Sequence, residues 1–334
     1  MKHFLKNRSA CLAAAGIAAV AAALVLGLIL GTTRISPADI FKALFSGATT
    51  PEGQIVRYVR IPRTLAGLLS GAALALAGAL IQGTLSNRLA SASIIGVNSG
   101  AALAITVAAA FGITGGWRVS LFAFVGALFA VAVVAVGSSF VGASRGTVIL
   151  IGVALNATFA AAADAIIAFF PDISVMSADF RVGDLSAANY KTLIPAGIMI
   201  LIGAVAALLS SGYLDVLTLG EDTARGLGIN TNLARAALLM LAAMLAGAAV
   251  SIAGLLSFVG LLVPHAVRRL MGSSGSILLP TLLFGGAFVS ICDTLSRTVT
   301  APYELPVGIL MAAIGAPLFI VILLRKGGAG YDQA

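Results

Sequence analysis

Charge is what this chain has least of. Asp, Glu, Lys and Arg make up only 10% of its 334 residues, against roughly 25% in soluble domains. An ordinary soluble surface is therefore excluded. Histidine and cysteine are nearly missing as well. His3 lies in the N-terminal tail, and His265 follows Pro264 in an apolar run, where it reads as a packed imidazole at a helix kink. Cys11 and Cys292 both sit in apolar runs, which leaves no disulfide framework and no metal-binding set. No Gly-x-x-x-x-Gly-Lys-Ser/Thr phosphate loop occurs, and no catalytic constellation is visible. The chain therefore reads as neither an ATPase of that type nor an enzyme. Its formal net charge of +8 is no nucleic-acid footprint, because the cations stand singly between apolar runs.

What is there is apolar. Hydrophobic residues make up 60% of the chain, and glycine holds 38 positions. This is the composition of an all-α polytopic membrane protein whose helices pack through small residues. Windows long enough to cross ~30 Å of hydrocarbon fall at about residues 10–31, 64–83, 93–112, 118–140, 147–169, 192–210, 278–297 and 306–324. Residues 233–271 are too long for one span and too short for two full ones. They are predicted to break near Ala253–Phe258 into a normal span and a short one, which makes about ten transmembrane helices. Lys2, Lys6 and Arg8 before the first run resemble a signal peptide, but the run continues to Leu30 without a small-residue cleavage site. A retained first span is expected.

Cations in the flanks orient the chain with both termini in the cytoplasm. Arg88, Arg145, Arg225, Arg235, Arg268, Arg269, Arg325 and Lys326 then fall inside. Arg57, Arg60 and Arg63 crowd the first outer loop, against the rule. An acidic partner would account for them; so would a loop that translocates regardless of charge.

The chain also repeats itself. Leu68–Leu80 aligns without gaps on Met244–Leu256, matching Gly71 to Gly247 and Gly78 to Gly254. Helices two to five are read as an inverted copy of helices seven to ten, as in transporters. The whole of 1–334 is then one permease domain, with repeats at about 64–169 and 233–324.

Polar residues inside the spans are few, Gln82, Ser138, Ser139 and Ser290 among them. Asn98, Asn156 and Asp164 are the candidates for a translocation pathway, with interhelical hydrogen bonding as the plainer role for the asparagines. Asp164 is also the one carboxylate an ion-coupled secondary transporter would use, unless it lies solvated near the outer mouth. Asp293 and Arg297, one turn apart, are expected to satisfy each other.

A polar island, Leu214–Ile229, separates the repeats on the inner side. It reads as one short amphipathic helix. Leu217, Leu219, Ala224 and Leu227 would cover a surface, while Glu221, Asp222 and Arg225 would point outward. Thr218 would cap it in a capping box with Glu221, and Glu221 would reach Arg225. Such a helix either lies passively on the membrane or is a foot on which a partner pushes. Its inner placement, its position between the repeats and the lack of an ATP site favour the foot.

Several stretches together resemble the FecCD-type permeases, the membrane subunits of ABC importers for iron–siderophore complexes, haem and vitamin B12. They are Arg60-Ile-Pro-Arg-Thr64, Gly71–Gly83, Ile95–Ala102, Leu219–Gly228, Phe258–His265, and Glu304–Ile309 followed by Gly315-Ala-Pro317. The likeness runs in order from about residue 30 to 326. It implies the ten-helix type II importer fold, working as a homodimer with the pathway between the copies. It further implies two cytoplasmic ATPase subunits, which would carry ATP and Mg²⁺, and an extracytoplasmic solute-binding protein. No cofactor is implied on this chain itself. By this resemblance Arg60, Arg63 and Arg297 match arginines presented to the binding protein. Leu219, Gly220, Glu221, Asp222, Ala224, Arg225 and Gly228 match the coupling helices, here about 214–229. The expected cargo is an iron chelate, with vitamin B12 or haem as same-fold alternatives. Two stretches depart from the family pattern: Asn87-Arg-Leu-Ala-Ser-Ala92 lacks both prolines and the Asp, and Phe180-Arg-Val-Gly-Asp-Leu185 replaces a Trp-containing loop.

Overall fold

The computed structural model describes residues 2–33, 35–45, 50–113, 116–141, 145–271 and 277–324. Arg34, Arg325 and Lys326 lie outside them. Among the described residues all regular structure is helical. The N-terminal α1 (Lys2–Ile29) is followed by a short α2 (Pro37–Phe45). Then α3 (Pro51–Ile55), a π-helical turn at Val56–Arg60 and α4 (Ile61–Thr84) run on as one rod. The chain continues through α5 (Val97–Ala110), α6 (Trp117–Val141), α7 (Arg145–Phe169), α8 (Ser174–Val182) and α9 (Tyr190–Leu209). Two short helices follow, α10 (Ser211–Thr218) and α11 (Glu221–Gly226). The last four are α12 (Thr231–Ala253), α13 (Val259–Met271), α14 (Leu278–Val299) and α15 (Val307–Leu324).

Each predicted window falls on a helix. Seven of the described helices are long and apolar enough to cross a membrane, while α5, α13 and α15 are shorter. The break forecast near Ala253–Phe258 is there. Helix α12 stops at Gly254 with φ +65°, and α13 starts after Phe258 with φ +68°.

Helix α4 is the axis of the bundle, buried along nearly its whole length. Lipid gives apolar helices no hydrophobic reason to associate, so close backbone approach and interhelical hydrogen bonds must hold them. Both are present. A Cβ on Gly71 would stand 2.2 Å from the Gly285 carbonyl oxygen on α14, and one on Gly78 would stand 1.9 Å from that of Gly260 on α13. Gln82 Nε2 donates to the same Gly260 oxygen at 3.0 Å. The divergent 180–185 stretch is a packed joint. Leu255 N–H donates to the Phe180 carbonyl and Gly308 N–H to that of Gly183, both at 3.0 Å, which ties the end of α8 to the α12–α13 link and the start of α15.

Candidate functional site

The polar island lies at the end of the bundle where α4 finishes, since Leu214 packs against Gly83 there. It is two helices, not one. Helix α10 continues through Thr218, whose hydroxyl donates back to the Asp215 carbonyl at 2.6 Å. Thr218 therefore does not cap α11. The N-cap position belongs to Gly220, whose φ of +117° permits the sharp bend. The bend also changes which leucines are covered. Leu214, Leu217 and Ala224 are buried, whereas Leu219 and Leu227, expected to cover a surface, are 68% and 64% exposed. Leu219 falls past the end of α10 and Leu227 past the end of α11, outside the helical register that buries the others.

Asp222 and Arg225 are exposed, but Glu221 is only partly so. Its carboxylate accepts from Arg225 Nη2 at 2.8 Å, as the four-residue spacing predicted. It also accepts from Arg235 Nη2 at 3.3 Å and Thr231 Oγ1 at 3.4 Å, both at the start of α12. Partial burial opposes the charge on Glu221, but Arg235, Arg225 and Thr231 outweigh it and hold the carboxyl below the usual carboxylate range. Acids in the first turn and Arg225 in the last complement the helix dipole. The result is a braced foot with two bare leucines. Gly228, with φ +79°, turns the chain into α12.

The opposite end of the bundle holds the three arginines. They converge, but their guanidinium groups are directed inward, not to solvent: Arg60, Arg63 and Arg297 are each 3% exposed. For Arg60 and Arg297 the physical reason is the C-terminus of α1, whose last carbonyls have no partner within the helix. Arg60 Nη1 donates to the carbonyls of Leu28 at 2.6 Å and Ile29 at 2.9 Å, and its Nη2 to that of Thr33. Arg297 Nη2 donates to the Gly27 carbonyl at 2.8 Å. Arg63 pairs through Nε with Asp293 at 2.9 Å and through Nη1 with Glu304 at 2.5 Å. The expected Asp293–Arg297 pair is present at 3.3 Å. The cluster thus holds three guanidinium groups and two carboxylates, with Arg60 bonded to backbone carbonyls alone. Sequence reasoning missed Arg63–Asp293 and Glu304. The only available signal was that Glu304 opens one of the recognised motifs.

The pathway candidates are not brought together by any shared contact. Asn98 Nδ2 donates to Ser93 Oγ at 2.9 Å, next to Gly96 in the turn before α5. Asn156 is half-buried on α7. Asp164, further along α7, has an exposed side chain that accepts from Arg181 on α8 at 2.8 Å. Among the described residues no group of His, Cys, Asp and Glu could hold a metal ion.

An all-helical bundle with seven membrane-capable helices, a buried arginine–carboxylate cluster at one end and a braced polar foot at the other has the architecture of a multi-pass membrane protein. Comparison with known proteins makes this specific. The family model described as the FecCD transport family matches residues 19–325, and the chain belongs to that family. It is 38% identical over 303 residues to the Fe(3+)-citrate import system permease protein YfmD of Bacillus subtilis, covering 90% of each chain. It is 40% identical over 316 residues to the ferric enterobactin transport system permease protein FepD of Escherichia coli, covering 92% of this chain and 93% of that one. A metal-chelate-type ABC transporter solved in an inward-facing conformation superposes with a TM-score of 0.80 at 28% identity, covering 97% of this chain and all of that one.

Proposed function

We propose that this permease carries a ferric chelate from the outer side of the cell membrane to the cytoplasm, driven by ATP hydrolysed on a separate subunit. The observation that carries the reading is the foot. Exposed Leu219 and Leu227 stand on a short element braced to α12 by Arg235, which suits a rigid contact for a partner. In this reading two ATPase subunits, each with ATP and Mg²⁺, engage the Leu219–Gly228 feet of a homodimer. The foot side is cytoplasmic, as are both termini. The cargo class follows from the relatives, which are import permeases for ferric citrate and ferric enterobactin. The pathway would run between the copies, with Asn98, Asn156 and Asp164 as its candidate polar groups.

At the opposite end a solute-binding protein would dock over the Arg60, Arg63 and Arg297 cluster. The excess of guanidinium over carboxylate there, with exposed Arg57 in the turn before Arg60, would attract an acidic face. The inverted repeat remains part of the proposal. Packing supports it: α4 lies on α14 as α12 lies on α6, and α5 on α6 as α13 on α14. An ion-coupled carrier needs a buried carboxylate that loads and unloads a cation. Asp164 is exposed and paired, which does not favour it.

The test is uptake into proteoliposomes. Ferric chelate should enter only with the ATPase, ATP and binding protein present. Uptake on an ion gradient without the ATPase would overturn the proposal.

A further inference from the structure

We infer that the cleft between α13, α14 and α15 holds an acyl chain of an anionic phospholipid whose phosphate sits on Arg268 and Arg269. A cavity of about 210 Å³ lies between these helices. Leu262, Ala266 and Leu270 line it from α13, Phe284 and Phe288 from α14, and Leu318 from α15. Leu270 and Leu318 are 57% and 44% exposed, so the cleft is open at the surface of the bundle. Its lining side chains are all apolar, which suits a lipid tail and not water.

The polar half of the argument comes from the same helix. Arg269 follows Leu262 by seven residues, within about 20° of two full turns, so it continues the cleft-lining stripe one turn past Ala266. Arg268 beside it is half-buried, and Arg88, just beyond the end of α4, is close enough to act on it electrostatically. No carboxylate among the described residues pairs with Arg88, Arg268 or Arg269. Like charges brought together without a counter-ion are unfavourable unless an outside anion is shared. These arginines sit at the foot end of the bundle, because α4 meets α10 at Gly83 and α13 at Gln82. A basic cluster at the end of an apolar slot between transmembrane helices matches one anionic headgroup with its tail. The headgroup then lies in the leaflet at the foot end, the cytoplasmic one in the proposed orientation.

The full-length permease purified in detergent is the material for the test, with phosphatidylglycerol and phosphatidylcholine as probes. Native mass spectrometry should show retained phosphatidylglycerol, and the same lipid should raise the unfolding temperature where phosphatidylcholine does not. Phosphatidylglycerol affinity should fall roughly fivefold for each arginine replaced in Arg268→Gln and Arg269→Gln. Ala266→Phe, which fills the slot and leaves the arginines, should also weaken it and decides the matter if the arginine variants do not fold. Equal response to both lipids would overturn the inference, as would a shift reproduced by inorganic phosphate. So would variants that keep phosphatidylglycerol but lose the ATPase, which would assign the arginines to a protein partner. None of these readouts depends on transport, so failure here is distinct from failure of the importer reading.

Discussion

Arg235, on the buried face of α12, holds its Nη2 3.3 Å from Oε2 of Glu221 on α11. The foot is therefore joined to a core helix by a charge pair, besides the backbone turn at Gly228. Glu221→Gln should lower stability by about 1 kcal/mol and sharply reduce ATP-driven uptake. Thermal unfolding and proteoliposome transport check the two parts.

The same pair has a pH signature. The folded carboxyl of Glu221 titrates below its ordinary value, so its contribution is complete above the ordinary carboxylate range and is lost as pH falls through the folded value. The unfolding-temperature gap between wild type and Glu221→Gln should be constant near neutrality and close under acid. A gap that widens in acid would reverse this assignment.

Leu219→Asp and Leu227→Asp change largely exposed positions. Both variants should unfold within about 0.5 kcal/mol of wild type yet lose co-purification with the ATPase. Retained ATPase binding would remove the leucines from the contact.

The arginine cluster separates docking from folding. Asp293→Asn removes the charge between Arg63 and Arg297, all three residues nearly solvent-free, and should destabilise by about 3–5 kcal/mol. Arg57→Glu changes an exposed residue in the turn that leads to Arg60, and should leave unfolding unchanged while weakening association with the binding protein. The wild-type association should itself fall as salt rises. Unchanged pull-down of the binding protein by Arg57→Glu would place docking elsewhere.

Close helix approach gives a structural control. Gly78→Ala puts a methyl group 1.9 Å from the Gly260 carbonyl and should reduce the folded yield, whereas Gly212→Ala meets nothing within 4 Å on α10. Gel-filtration profiles of the two variants compare them directly. Similar profiles would refute the backbone contact.

The parts of this fold legible in the sequence were those set by local spacing. The Glu221–Arg225 and Asp293–Arg297 pairs each depend on neighbours one helical turn apart, and the α12–α13 break on the length of a single apolar run. The capping box was misread for a local reason too: Thr218 and Glu221 have its spacing, but Gly220 allows a bend that the pattern alone does not reveal. Long-range pairs had no such signal. Arg63 and Asp293 are 230 residues apart, and nothing in either neighbourhood marks the other as its partner. The inward turn of Arg60 was equally hidden, because the need for a donor arises at the end of α1 and not near Arg60 itself.

The two clamps on α1 become available at different moments of synthesis. Arg60 is separated by 32 residues from the Leu28 carbonyl it meets, while Arg297 is separated by 270 from that of Gly27. At about 5–20 residues per second the second clamp is translated roughly ten to fifty seconds after the first. Of the two clamps, only the one made by Arg60 exists throughout that interval. The end of α1 can thus be met by Arg60 early in synthesis, whereas its second clamp cannot form before α14 has emerged.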